Sequence, residues 1–306
     1  MRQSMVLSGS LLLAACLLAT GASGQSGGGE GLSPTLSAIK SSHTVRLGYR
    51  ESSPPFSFLD QSGRPIGYSL ELCEAVVEQI GVEVDDPNLR IDYVKVTSDD
   101  RIDAVIANKI DLECGSTTAN AERARRVAFS PLMFVAGTKL MVPKASSVQS
   151  LTDLKGKTVV VTKGTTNEQA IQAADKKFAL GLTIAVGADH EQSFQMLADG
   201  KADAFATDDI LLSGLIARHK AQDRFRVTGD YLSYDPYGIM FRKGEPQLSA
   251  VIERTFRKLG SNHDLVPLYN KWFTARLPTG ERLNVPISLQ LEEAFKAMDD
   301  SASANN

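Results

Sequence analysis

Three arginines, one histidine, one aspartate and several Ser and Thr hydroxyls fall where strands give way to turns. Arg50 follows the apolar run Val45 to Tyr49, at the carboxyl end of a predicted strand, where open α/β sheets bind ligands. Arg101 comes after Thr97-Ser98-Asp99-Asp100, in the first turn of a predicted helix. The helix dipole opposes a cation there, whereas a nearby anion would favour it. The run Cys114-Gly115-Ser116-Thr117-Thr118 offers hydroxyls and N–H groups to a small polar ligand. Arg123 follows closely enough to return to the same place and grip a carboxylate with two parallel hydrogen bonds. Val161 to Asn167, with Thr165 and Thr166, is a strand, a tight turn and a helix start whose N–H groups face an anion. It lacks the spacing and the Lys-Ser/Thr ending of a nucleotide phosphate loop. Asp189-His190 and Thr207-Asp208-Asp209 each follow a strand, and an Asp placed so can hold an ammonium.

Singly, each feature has a bland reading: a surface ion pair for Arg50, a capped helix start beside a solvated Arg123, a structural His190. Together they suit a small zwitterion with an extra negative charge. One Arg pairs with an α-carboxylate and an Asp with the ammonium. The remaining Arg and the His meet a second carboxylate. Breaking a buried ion pair costs about 3–5 kcal/mol. A site built around such partners therefore rejects the neutral amide by about 10⁴-fold or more.

These residues need elements to place them. Val45 to Tyr49, Ile91 to Val96 and Asp111 to Cys114 have strand character. Ser69 is a candidate N-cap for a helix carrying Leu70, Cys73, Val77 and Ile80, and Ile102, Val105 and Ile106 mark a short helix. Phe134 to Val142 is an extended apolar stretch. After Lys144 a second series begins, with strands at Thr158 to Thr162, Thr183 to Val186, Ala204 to Thr207 and Gly238 to Arg242. Helices are predicted over Glu168 to Lys177, Gln192 to Leu197, Ile210 to His219, Val251 to Leu259 and Leu265 to Phe273. The end of the chain carries one amphipathic set, Leu289, Leu291, Phe295 and Met298, and then a polar frayed tail. Alternating strands and helices predict an α/β protein with mostly parallel sheets, in two lobes.

The chain has 306 residues, 42% hydrophobic and 23% charged, enough to bury a core. Lys+Arg is 33 against Asp+Glu 36, a net charge of -3, which excludes a strongly basic nucleic-acid binder. Four His and three Cys are scattered, so no metal site is expected. Residues 1–24 read as a signal peptide: Arg2, then mostly apolar residues from Met5 to Ala19, then small residues. Leu13-Ala14-Ala15-Cys16 leaves a lipid anchor at Cys16 open, although the apolar residues that follow fit a continuing signal better. Residues 25–35 read as a flexible leader. After export Cys73 and Cys114 remain, either as two buried thiols or, the favoured reading, as one disulfide closing a loop of about 40 residues.

At this point the chain resembles a known family, the family 3 solute-binding proteins of ABC transporters, and within it the periplasmic glutamate/aspartate-binding group. The matching stretches include Arg50-Glu51-Ser52-Ser53, Val96-Thr97-Ser98 with Arg101, and Glu113-Cys114-Gly115-Ser116-Thr117-Thr118 with Glu122-Arg123. Further on they include Val159 to Thr162 with Gly164-Thr165-Thr166, Asp189-His190, Asp208-Asp209, Tyr237-Gly238 and Lys271-Trp272-Phe273.

The resemblance implies a type II periplasmic binding fold, a clamp of two lobes closing on L-glutamate or L-aspartate. Lobe 1 would hold 36–135 plus 238–286 and lobe 2 would hold 139–232. Residues 287–306 would form a C-terminal helix and tail. The hinge would lie in Val135 to Thr138 and Tyr231 to Tyr237. By resemblance Arg123 holds the α-carboxylate with the Thr118 backbone, and Ser116, Thr118 and Asp208 receive the ammonium. Arg50, Arg101 and His190 meet the side-chain carboxylate, with Ser98 and Thr166 adding hydrogen bonds. Cys73 and Cys114 pair as a disulfide in some members. Lys163 replaces a commoner small residue and adds positive potential near the cleft.

The family implies a monomer that docks on an inner-membrane permease, with no cofactor, no nucleic acid and no catalysis. Two rivals stand beside it. One is an exported cyclohexadienyl dehydratase on the same scaffold, with His190 as acid. The other is a stand-alone amino-acid sensor.

Overall fold

The computed structural model describes residues 31–303, with side chains through 299. The predicted signal peptide, most of the leader and Cys16 lie outside the described residues. Among those described, no helix is long and apolar enough to cross a membrane.

Two five-stranded sheets organise the chain. The first runs in the order Arg90–Lys95, Thr44–Tyr49, Leu112–Glu113, Met240–Arg242, Val127–Phe129. The second runs Thr183–Gly187, Thr158–Thr162, Ala204–Asp208, Thr138–Pro143, Phe225–Thr228. Thr44–Tyr49 pairs in parallel with both of its neighbours, and so does Thr158–Thr162. The expected parallel pattern therefore holds at the heart of each sheet. It breaks at one strand in each: Met240–Arg242 and Thr138–Pro143 run against both neighbours. Each of these strands follows a passage of the chain from one sheet to the other, so it enters its new sheet from the opposite direction.

Local chemistry explains the central strands. Thr158–Thr162 is β-branched at all five positions, which suits a pleated strand covered on both faces. All but its first residue are buried. The helix Tyr68–Val84 buries Leu72, Cys73, Val76, Val77, Ile80 and Val84 at helical spacing. Its start differs from the expectation. Gly67, at φ 146°, precedes the first turn, and Ser69 lies inside the helix. The Ser69 hydroxyl instead donates to the Gly115 carbonyl at 2.8 Å, tying the helix to a loop of the candidate site. The disulfide makes a second tie: Cys73 on this helix is bonded to Cys114 at the end of a central strand, with Cα atoms 6.2 Å apart.

Phe134–Ala136 and Asp235–Tyr237 form a small antiparallel sheet where the chain passes between the two larger ones. Gly137 interrupts the predicted Phe134 to Val142 stretch and divides it into two strands. Phe134 and Tyr237 are packed into the first core with Phe56, and Phe134 stacks on Phe273 with ring centroids 4.8 Å apart.

Several elements escaped the sequence reading, among them the edge strands Val127–Phe129 and Phe225–Thr228. Pro34–Ser42 is a helix whose Leu36 and Ile39 enter the core, and its start overlaps the expected leader. Pro at its first position and its short length gave little periodic signal. The end of the chain is a helix, Leu289–Ser303, within the 287–306 segment expected to form a C-terminal helix and tail, and longer than the single amphipathic set suggested. Leu291 and Phe295 are buried as expected, but Leu289 is exposed.

Candidate functional site

The ends of strands from both sheets meet at a cleft. Arg50 follows the Thr44–Tyr49 strand and is held by its own N–H, which donates to Ser57 Oγ at 2.8 Å. Its Nη2 donates to Ser98 Oγ at 2.5 Å. Arg101 opens the helix Arg101–Ile106 and its Nη1 donates to the Ser98 carbonyl. One serine thus orients two arginines, and both are buried. Arg123, in a short 3-10 turn, donates from Nη1 to the Thr118 carbonyl at 3.0 Å. Its Nη2 crosses to the Gly164 carbonyl at 3.3 Å.

The second sheet supplies the opposite wall. Thr165 caps the helix Thr166–Phe178: its hydroxyl accepts from Glu168 N and donates to the Thr162 carbonyl at 2.7 Å. The Thr165 side chain is therefore committed to its own turn, and only its main chain is left for a ligand. His190 begins the helix His190–Ala198, capped by Asp189, whose side chain accepts from Gln192 N. This cap accounts for Asp189. His190 is buried, with Nδ1 3.0 Å from Thr162 Oγ1. Asp208, also buried, accepts from Asn167 Nδ2 at 2.8 Å and from the Tyr237 hydroxyl.

Thr118 and Thr166 come from different sheets, yet their hydroxyl oxygens are 3.2 Å apart. Both donate to Asp235 Oδ1, at 3.1 and 2.8 Å. Sequence reasoning missed Asp235. It lay in a segment read only as a crossover, and its signal was an acidic residue before Pro236 in an otherwise tyrosine-rich stretch. Glu113 was also given no role. It is fully buried and accepts from Thr117 Oγ1 at 2.7 Å. Gly115 makes room for it, because a Cβ at that position would lie 2.3 Å from Glu113 Oε1 and 2.9 Å from Arg50 Cγ.

Charge in this enclosure is strongly perturbed. Burial, and then the neighbouring Arg101, lowers Arg50 and Arg123 to about 10. Burial likewise lowers Arg101, with Glu113 opposing. Arg50 and Arg123 remain cationic at neutral pH. Burial, then Arg50 and Arg101, pushes His190 well below its ordinary value, so it is a neutral imidazole. Such a ring can donate one hydrogen bond to an anion without carrying charge. Burial, then Asp235, raises Asp208 to about 7.

Arg101 Nε and Ser116 Oγ, like Glu113 Oε1, have no hydrogen-bond partner among the described residues. A groove of about 190 Å³ at the mouth is lined by Ser98, Asp99, Asn120, Arg123, Gly164 and Thr165. Three guanidiniums, a neutral imidazole, carboxylates and small hydroxyls are gathered where the two sheets meet, and of the expected site residues Ser98, Arg123 and Thr165 line this groove. Among the described residues no group of three or more His, Cys, Asp or Glu is placed to hold a metal ion.

The chain is similar to known proteins in sequence and in fold. The family model of bacterial extracellular solute-binding proteins, family 3, matches residues 45–275. An L-glutamate/L-aspartate-binding protein of Pseudomonas aeruginosa is 41% identical over 276 residues, 89% of this chain and 91% of its own. A glutamate/aspartate import solute-binding protein of Escherichia coli is 34% identical over 269 residues, 88% of this chain and 89% of its own. Among solved structures, an ancestral arginine-binding protein bound to arginine aligns with a TM-score of 0.68 and 30% identity, over 76% of this chain and 98% of its own. An ancestral amino acid-binding protein described as a precursor of cyclohexadienyl dehydratase aligns with a TM-score of 0.68 and 28% identity, over 78% of this chain and 100% of its own.

Proposed function

Because the chain belongs to the bacterial extracellular solute-binding proteins, family 3, we propose that its cleft binds L-glutamate or L-aspartate outside the cytoplasm and delivers it to an ABC importer. The single observation that carries this reading is the convergence of three buried arginines, Arg50, Arg101 and Arg123, on one cleft. Three confined cations repel one another and have lost their hydration. A ligand with two carboxylates relieves both costs.

The roles follow from placement. Arg123, braced by the Thr118 carbonyl, takes the α-carboxylate. Ser116, Thr118 and Asp208 face the ammonium, and Asp235 adds a second negative group nearby. Arg50 and Arg101, set side by side by Ser98, take the side-chain carboxylate. The neutral His190 donates to that carboxylate, Thr166 contributes its hydroxyl and Thr165 its main-chain N–H.

The lobes are residues 36–135 with 238–286 and residues 139–232, followed by a C-terminal helix and tail. The hinge lies in the two crossings joined by the pairing of Phe134–Ala136 with Asp235–Tyr237. The chain works as an exported monomer whose partner is the membrane permease. A binding role uses every arginine as a counter-ion. The dehydratase reading needs a general acid instead, and conversion of prephenate by the purified protein would reinstate it.

Substitution at the arginines tests the assignment. Arg123→Met abolishes binding of every amino acid. Arg101→Met weakens glutamate by about 100-fold or more, because it removes one partner of a buried charge pair, and it narrows the preference of glutamate over glutamine. An unchanged glutamate-to-glutamine ratio in Arg101→Met would remove that arginine from the side-chain site.

A further inference from the structure

Lys163 and Asp99 lie outside the set that faces the ligand. Lys163 follows the Thr158–Thr162 strand of the second sheet. Asp99 stands between the Arg90–Lys95 strand and the Arg101–Ile106 helix of the first. Lys163 Nζ is 2.9 Å from Asp99 Oδ2, so the ion pair spans the two lobes. The backbones beneath it are seated on one another: a Cβ at Gly164 would lie 2.7 Å from Asp99 Cα and 2.8 Å from the Ser98 carbonyl. The same turn receives Arg123 Nη2 at the Gly164 carbonyl. The pair thus closes over the point where Ser98, which orients both arginines of the side-chain site, meets the turn that carries Thr165 and Thr166.

We propose that Lys163 and Asp99 are positioning residues that latch the two lobes together over the bound ligand and so set its rate of escape; this rests on the acidic amino-acid reading above. The attraction exists only while the lobes touch, and opening separates the charges. It therefore favours the closed state without touching the ligand, and its effect falls on dissociation. Both side chains are largely in solvent, 60% and 47% exposed, so the pair is screened by water and weakened by salt.

The competing account is that Lys163 merely lends positive potential to an anion-binding cleft. The two accounts differ in sign at Asp99. Removing its negative charge loosens a latched ligand, but it tightens the binding of an anion drawn only by potential.

The test measures dissociation and affinity of radiolabelled L-glutamate for the wild type, Lys163→Met, Lys163→Arg, Asp99→Asn and the swap Lys163→Asp with Asp99→Lys, at low and high salt. The latch predicts that Lys163→Met and Asp99→Asn each release glutamate about two- to fivefold faster, the range of an exposed ion pair. Lys163→Arg and the swap stay near wild type, and high salt erases the differences. Weaker binding in Lys163→Met with tighter binding in Asp99→Asn overturns the latch in favour of simple potential. Wild-type rates in both single variants overturn it as well, while leaving the ligand reading intact. Should the wild type bind no acidic amino acid, that reading fails, and small-angle scattering still decides the latch. Lys163→Glu, which faces Asp99 with a like charge, has a larger radius of gyration than wild type if the latch holds, and coincident curves overturn it.

Discussion

Asp208 is a buried carboxyl that the ammonium of the proposed ligand would meet. Burial and Asp235 raise its carboxyl from 3.8 to about 7. A raised carboxyl stabilises the ligand-free fold fully below 3.8, and that contribution is lost as pH rises through about 7. An ammonium beside it reverses the balance and favours the ionised form. Binding an amino acid near pH 7 should therefore release a fraction of a proton from this group. Titrations in buffers of different ionisation enthalpy should give different heats for the wild type and equal heats for Asp208→Asn. Equal heats for the wild type would contradict the assignment.

Much of this scale was legible in the sequence, since Arg, His and Asp at strand ends are unusual enough to point at a ligand. What was hidden was which of them answer to each other. That Ser98 serves two arginines, or that Asp235 collects hydroxyls from both lobes, depends on contacts between segments far apart in the chain.

Two elements hold the cleft walls in place, and each makes a prediction. The disulfide pins the Tyr68–Val84 helix to the strand end that leads into Ser116 and Thr118, closing a loop of 41 residues. Replacing both cysteines by Ala should lower the unfolding free energy by roughly 3–4 kcal/mol, the loop-entropy expectation. A loss below about 1 kcal/mol in a denaturant titration would show that the helix is anchored by packing alone.

The turn at Gly164 has φ +73° and almost no clearance from the facing lobe. An Ala there meets the backbone of Asp99 rather than a movable side chain, so it obstructs closure as well as straining its own turn. Gly164→Ala should weaken glutamate binding at least about tenfold, while the ligand-free protein loses about 1–2 kcal/mol, the cost of a left-handed non-Gly residue. Unaltered affinity would place Gly164 away from the closing surface.

The central strands were readable because β-branched runs announce themselves. The helix at Pro34–Ser42 was missed because only nine residues carry its pattern. Ser69 was misassigned because a serine before an apolar run looks like a cap, and its actual acceptor, Gly115, is distant in sequence. The lone reversed strand in each sheet follows from the path of the whole chain, which no local pattern encodes.

At the scale of the molecule, two sheets present their strand ends to one another and the chain crosses between them at a small two-stranded sheet. The aromatic packing of Phe134 and Tyr237 against Phe56 and Phe273 fastens those crossings to the first lobe. We propose that the second lobe is the part that swings. On that reading, hinge closure around a ligand would bury the arginines with their counter-ions, and the ligand would hold the lobes shut. The division into two lobes was visible in the two strand–helix series, but the geometry of the crossings was not.

The proposed cleft is built for two carboxylates. Calorimetric titration of the protein, unfolded and refolded to remove carried ligand, with L-glutamate, L-aspartate and L-glutamine tests it most directly. Saturable binding of both acids is predicted, with glutamine weaker by about 10⁴-fold or undetectable. Comparable affinity for glutamine would contradict the claim, because it would mean that the buried arginines do not need a second anionic partner.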